Sequence, residues 1–324
     1  MDFTPTPRQA KLIAQVDRVV EETGGLERVR AFAFKQRLDI ELERALAAVI
    51  HPGELTLLER VLIAERLAWA GAATTFGLRA VVLGGTVLGD AVLADAVLAN
   101  TGPANTVPAN TGPAGARQGL AVVDRYRGGL ARYAADAAAL LVLNGDEANL
   151  VELAPGQVEA VPSGAGFPLG RVPAALLESG RPVEARGLRA RWALAVAAEL
   201  GGVAQAVVEL TAAHLRERVQ FGRPLAQFQA LRHRVANLAV DAEATRWMAR
   251  EAAYSGQARP MWLAAAYAAA AGAALSPDAV QLWGARGFVY EFGVSNLIMR
   301  LQGLRLELGS ADRLAESVLA APAP

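Results

Sequence analysis

Two stripes of apolar and small residues, recurring at alternating steps of three and four, set the narrowest limit on how this chain folds. Leu194, Ala197, Gly201, Ala204, Val208, Thr211 and Leu215 form the first, and Leu225, Phe228, Leu231, Val235, Leu238 and Ala242 the second. That spacing predicts two long helices, each burying one face and leaving the other free. Between them lies Arg216 to Gln229, which reads Arg-Glu-Arg-Val-Gln-Phe-Gly-Arg-Pro-Leu-Ala-Gln-Phe-Gln. Gly222 followed by Pro224 predicts a helix stop and restart, since glycine accepts a left-handed cap and proline suits a first helical turn. Two readings of the connector stand side by side. Its arginines are solvated, as most charge runs are, or Arg218 with the neighbouring amides and glutamines meets an anion such as a pyrophosphate, for which a guanidinium is well shaped.

Composition removes several other classes of function. Lysine plus arginine and aspartate plus glutamate both number 32 in 324 residues, so there is no global basic field for nucleic acid. The absence of cysteine excludes disulfides, thiol nucleophiles and thiolate metal sites. The three histidines, His51, His214 and His233, are far apart, and no metal is expected. The N-terminus lacks a hydrophobic signal core. The longest apolar run, Met261 to Leu275, is shorter than the ~20 residues a bilayer helix needs. A soluble cytoplasmic chain without a membrane span is the expectation.

The remaining chain divides by pattern. Helices are expected from Thr6-Pro7 through Val20, from Asp39 to Ile50, from Thr56 to Ala72, and over a glycine-broken stretch from Thr74 to Leu98. Three five-residue units begin at Asn100, Asn105 and Asn110, each ending Pro-Ala, and their prolines forbid a regular helix. Strands are expected at Ala139–Leu143 and Asn149–Leu153 around an Asn-Gly-Asp-Glu turn, with others at Gln157–Val161 and Pro182–Leu188, in a sheet of four to six strands. Helix returns at Leu194–Arg218, Pro224–Ser255 and Met261–Leu275, and a fourth starts at Ser276-Pro277-Asp278. Four such helices make an antiparallel bundle. The chain is therefore expected to be mostly α with a small middle β-domain. Its parts are an N-terminal helical domain (1–99), a Pro/Asn/Thr repeat loop (100–118), a reduced β-domain (119–190) and a C-terminal four-helix bundle (191–324).

Arg218-Val-Gln220-Phe221-Gly222-Arg-Pro224-Leu225 with Phe228-Gln229 resembles the connector motif of the acyl-CoA dehydrogenases. Gln281-Leu-Trp-Gly284-Ala285-Arg286-Gly287-Phe288 is similar to that family's Gln-…-Gly-Gly-x-Gly-Phe segment, with Ala285 in place of the second glycine. The opening Met-Asp-Phe-Thr-Pro-Thr-Pro-Arg-Gln is also similar to the start of many members. The resemblance covers the chain in order: helical domain, β-domain, bundle. It implies that Arg218, Gln220, Phe221, Leu225, Phe228, Gln229, Gln281, Gly284 and Ala285 contact the FAD of a neighbouring subunit. The family's Thr/Ser-Glu-Pro…Gly-Ser-Asp stretch, which lies against the flavin ring and thioester, has no match between Leu98 and Arg127.

Dehydrogenation of an acyl-CoA needs a carboxylate to remove the α-proton while the flavin takes hydride from the β-carbon. The family's commonest position for it falls at Leu308 or Gly309, and an alternative falls at Trp192. None is acidic. Glu307 and Glu199 stand near these positions and are the only candidate bases. Ser163 lacks a nucleophile-elbow context, and Asp241 and Glu243, two apart on one helix, do not share a face. The resemblance thus implies a base-less subunit of a heteromeric enzyme, such as the α2β2 acyl-CoA dehydrogenases of steroid side-chain breakdown. FAD would be shared with a full-length acyl-CoA dehydrogenase partner that holds most of the acyl-CoA. The alternatives are a self-sufficient homo-oligomeric enzyme using Glu307 and a flavin-free scaffold of the same fold.

Overall fold

A computed structural model of the chain describes residues 4–35, 37–84 and 119–322. The Asn-Thr-Pro repeat and residues 85–98 lie outside the described residues. Five helices come first: α1 (Pro7–Glu22), α2 (Gly25–Lys35), α3 (Ile40–Val49), α4 (Leu57–Trp69) and α5 (Phe76–Leu83). Their starts follow side-chain chemistry. Thr6 with Gln9 and Thr56 with Glu59 form reciprocal capping boxes, and Asp39 accepts from the Leu42 amide. α1 ends at Glu22, before Gly24, and the chain restarts a helix at once at Gly25.

The middle of the chain holds β1 (Leu120–Asp124), β2 (Leu130–Arg132), β3 (Ala139–Asn144), β4 (Glu147–Glu152), β5 (Glu159–Val161), β6 (Leu169–Arg171), the short α6 (Ala174–Leu177) and β7 (Arg181–Val183). Instead of one sheet of four to six strands, the described residues of this part form two, ordered β1-β3-β4-β7 and β2-β6-β5. The Asn144–Glu147 hairpin is as the sequence suggests. The strand unforeseen at the edge is β1, which pairs parallel to β3 with Leu120 opposite Ala139. It is buried on both faces. Leu120 and Val122 join the main core with the bundle, while Ala121 and Val123 pack against the second sheet, so the strand shows no alternation to read.

The last part contains α7 (Leu188–Glu217), a two-stranded hairpin of β8 (Val219–Gln220) and β9 (Arg223–Pro224), then α8 (Gln229–Ser255), α9 (Ala258–Trp283), α10 (Val294–Glu307) and α11 (Ala311–Ala320). Two expectations fail here. Leu188 opens a helix rather than closing a strand, and no helix begins at Ser276. Pro277 instead sits inside α9. Pro277 and Ala273, whose carbonyl loses its amide partner, both face outward, while Ser276 donates to the Gly272 carbonyl at 2.9 Å and Leu275, Ala279 and Leu282 stay buried. The fourth bundle helix is α10. By length and composition α7 and α9 each qualify to cross a bilayer, α9 being longer than its apolar run suggests, but α7 is the central core helix, with 83% of its apolar window buried.

The N-terminal helices share the bundle's core. Ile63 and Leu67 of α4 meet Leu12 and Val16 of α1, whereas Val61, Ala64 and Ala68 belong to the cluster built around α7. Gly202 makes that contact close. A Cβ there would overlap the Glu65 carbonyl and lie 3.0 Å from the Trp69 amide. Glu65 in turn accepts from Arg246 and Arg250 of α8, at 2.6 and 2.7 Å.

Candidate functional site

A cleft of 640 Å³ opens between the second sheet and the end of α10. Leu130, Ala165, Phe167, Leu169, Trp192 and Leu306 give it apolar walls, and Arg132 and Glu307 lie at its floor. Arg132 leaves β2 with its side chain 3% exposed and bonds Glu199 of α7 through Nη1. Its Nε and Nη2 face the two oxygens of Glu307 at 3.1 and 3.3 Å. The Trp192 indole N–H donates to Glu307 Oε1 at 2.9 Å. The two carboxylates proposed from sequence as separate bases therefore converge on one guanidinium. Burial pushes the Glu307 carboxyl above the usual range; Glu199 adds to this, and Arg132 opposes it. The same pair of carboxylates holds the Arg132 pKa high against the opposing effect of burial.

The second place is the bundle end where α7 meets α8. The expected helix stop and restart is a β-hairpin whose turn residues, Phe221 and Gly222, have φ of 55° and 78°. Positive φ at both positions is the two-residue hairpin turn that normally takes Asn-Gly, and a bulky L-residue in its first position is strained. Pro224 lies in β9, and α8 begins only at Gln229. Phe221 is 89% exposed, and its ring meets Phe228 edge-on at 6.0 Å. Arg223 covers the Phe228 ring at 4.1 Å, Leu225 donates its amide to the Arg218 carbonyl, and Gln220 and Gln229 are exposed.

Gln281, Gly284 and Ala285 stand at the C-terminal end of α9, also exposed, and Gly284 ends the helix with φ 60°. No heavy atom lies within 4 Å of a Cβ placed on Gly284 or Gly222. A cleft of 500 Å³ joins Gln281 and Gly284 to Val280, Phe288, Ile298 and Gln302. The two motifs meet through a joint that sequence reasoning missed. His214, at the end of α7, stacks on Trp283, at the end of α9, with centroids 4.1 Å apart and planes 10° apart. Trp283 Nε1 donates to Thr211. Burial, then Arg286, then Arg218 lower the His214 pKa. Thr211 and Leu215 on the apolar stripe bracket His214, which was the available signal. Arg132 had none. Among the described residues no group of His, Asp and Glu is arranged to hold a metal ion.

The donor set at this bundle end fits a dinucleotide diphosphate: two guanidinium groups, exposed amides and glutamines, aromatic faces and an open glycine. Residues 189–321 match the family model described as acyl-CoA dehydrogenase, C-terminal domain. The chain is 35% identical over 124 residues to acyl-CoA dehydrogenase IpdE2 of Mycolicibacterium smegmatis, which is 38% of this chain and 40% of that protein. The match thus spans well under half the length of that relative. In three dimensions the chain is similar along its whole length to a chain of the ChsE4–ChsE5 complex from Mycobacterium tuberculosis, with TM-score 0.74, 23% identity and 100% of each chain covered. It also resembles the Tcur3481–Tcur3483 steroid ACAD G363A variant, with TM-score 0.71, 22% identity and 98% and 99% of the two chains covered.

Proposed function

We propose that the protein is the base-less subunit of a heteromeric, FAD-dependent acyl-CoA dehydrogenase, a reading supported by the match of residues 189–321 to the acyl-CoA dehydrogenase C-terminal domain model and by the likeness of the whole chain's fold. In this reading Arg218 faces the diphosphate. Gln220, Phe221, Gln281, Gly284 and Ala285 line the adenosine side, and Leu225, Phe228 and Gln229 hold the connector in shape. FAD, when bound, supplies the acceptor for the hydride. The full-length partner contributes the flavin-ring pocket, the catalytic carboxylate and most of the acyl-CoA site, and the pair works in the cytoplasm. The steroid enzyme among the similar structures makes a steroid side-chain thioester the substrate class of choice, by analogy of fold.

One observation carries the proposal. A general base needs a free lone pair aimed at the α-proton. Among the described residues, Glu307 and Glu199 are the acids nearest the expected positions, and both are tied to Arg132, Glu307 also to Trp192. The opposing reading, a self-sufficient enzyme using Glu307, draws support from the raised proton affinity of that carboxyl at the cleft floor.

Visible flavin absorbance separates them. The chain is purified alone and again after co-expression with a full-length acyl-CoA dehydrogenase. Colourless alone and yellow together, with one flavin per pair of unlike chains, is the expected result. A yellow, active chain by itself sinks the proposal in favour of Glu307. Colourless protein in both preparations sinks it in favour of a flavin-free scaffold.

A further inference from the structure

The proposed function asks two separate stretches, the hairpin after α7 and the segment after α9, to meet one FAD, and the role assigned below to His214 rests on that reading. Each stretch leaves the last turn of a long helix. The Arg218 amide donates to the His214 carbonyl at 2.8 Å, which closes α7 and starts the hairpin one helical turn beyond His214. Trp283 is the last residue of α9, two after Gln281 and one before Gly284. The His214 and Trp283 rings therefore join the two stretches at their roots.

The rings lie 4.1 Å apart and 10° from parallel, and both residues are buried. Trp283 is held on its other edges. Its indole N–H donates to Thr211 Oγ1 at 2.9 Å, and that hydroxyl has committed its own hydrogen to the Val207 carbonyl at 2.6 Å, so towards the indole it can only accept. Phe292 packs against Trp283 with centroids 6.1 Å apart and planes tilted by 50°. His214 is held differently. Its ring makes no hydrogen bond to a described residue, and its lowered pKa keeps it uncharged at neutral pH. What it supplies inside the protein is a flat face. Groups that converge on one ligand bind it more tightly when their arrangement is fixed beforehand. We propose that His214 is a positioning residue for the flavin: by stacking on Trp283 it fixes the connector hairpin relative to the Gln281–Phe288 segment, so that both meet the same FAD.

The test is the FAD dissociation constant of the co-expressed heteromer, measured by flavin absorbance on titration, with variants placed in this chain. His214→Ala is expected to raise the constant about tenfold, the upper end of what one aromatic pair contributes. His214→Leu, which fills the space without a flat ring, should do the same and serves if the alanine variant does not fold. His214→Phe keeps the flat ring and has no ring nitrogen, and it is expected to restore the parent value to within about threefold. Val203→Ala opens a cavity in the buried face of α7 about three turns away, so it should lower the melting temperature of the isolated chain and leave the constant unchanged. Unchanged affinity in both His214→Ala and His214→Leu, a phenylalanine variant as weak as these, or an equal loss in Val203→Ala would each overturn the proposal while the flavin site stands. A parent heteromer without flavin would overturn the reading beneath it, and this role of His214 with it.

Discussion

Replacing Arg132 with methionine tests the buried clamp most directly. The substitution keeps an unbranched side chain of similar length and removes the one cation between Glu199 and Glu307. Glu199 and Arg132 have side chains 4% and 3% exposed, so that pair is fully desolvated; Glu307, at 12%, keeps the Trp192 indole as a donor. Removing one partner of a buried ion pair costs roughly 3–5 kcal/mol, because the remaining charge is left uncompensated. With about 2–4 °C of melting temperature per kcal/mol, the loss is roughly 6–20 °C. The effect must depend on pH, and its sign is fixed. Burial already raises the Glu307 pKa in the folded chain, and loss of Arg132 raises it further. A folded pKa above the unfolded one gives stability that is present below the unfolded value and lost as pH rises through the folded one. Arg132→Met should therefore be close to the parent near the acidic end of the carboxylate range and farthest from it at about pH 8. Combining it with Glu199→Gln and Glu307→Gln removes the orphaned charges and should restore most of the loss. Urea unfolding followed by far-ultraviolet circular dichroism, across pH, measures all of this. A single variant as stable as the parent at every pH, or a triple variant weaker than the single, would refute the reasoning.

Two further changes probe the frame and the connector. Gly202→Ala should cost at least about 2 kcal/mol in urea unfolding, because its methyl has only the α4 backbone to displace, and a neutral result would show that α4 and α7 slide apart freely. Phe221→Asn should stabilise the isolated chain by about 1 kcal/mol, since asparagine accepts left-handed backbone that phenylalanine does not, yet lower flavin retention in the co-expressed heteromer; retention unchanged would remove Phe221 from the site.

The elements legible in the sequence were those specified by near neighbours. The three-four stripes gave α7 and α8, Thr6-Pro7 and Thr56 marked the starts of α1 and α4, and Asn-Gly-Asp-Glu gave the β3–β4 turn. Where a distant partner decides, the pattern was silent. The parallel partner of β1 is a strand that is not next to it in the sequence, so neither alternation nor a turn betrayed it. Pro277 looked like a break because the cost of proline is local, whereas the burial that holds α9 together around it is not. The connector's glycine was read correctly as left-handed and wrongly as a helix cap, since the neighbouring Phe221 shares the positive φ and makes the turn a hairpin. Glu199 and Glu307 stood out as alternatives near two expected positions. That they grip the same arginine, 67 and 175 residues away along the chain, required the assembled fold.

The seating of α4 against α7 also bears on how the chain emerges during synthesis. The α4 face formed by Val61, Ala64 and Ala68 is complete once Trp69 is made, but the helix that covers it starts only at Leu188. At roughly 5–20 residues per second, the ribosome takes on the order of ten seconds to reach that helix. For that interval the nascent N-terminal helices carry an uncovered apolar surface, a ready target for chaperones and for other nascent chains. A premature stop before Leu188 would release a fragment that keeps the surface for good.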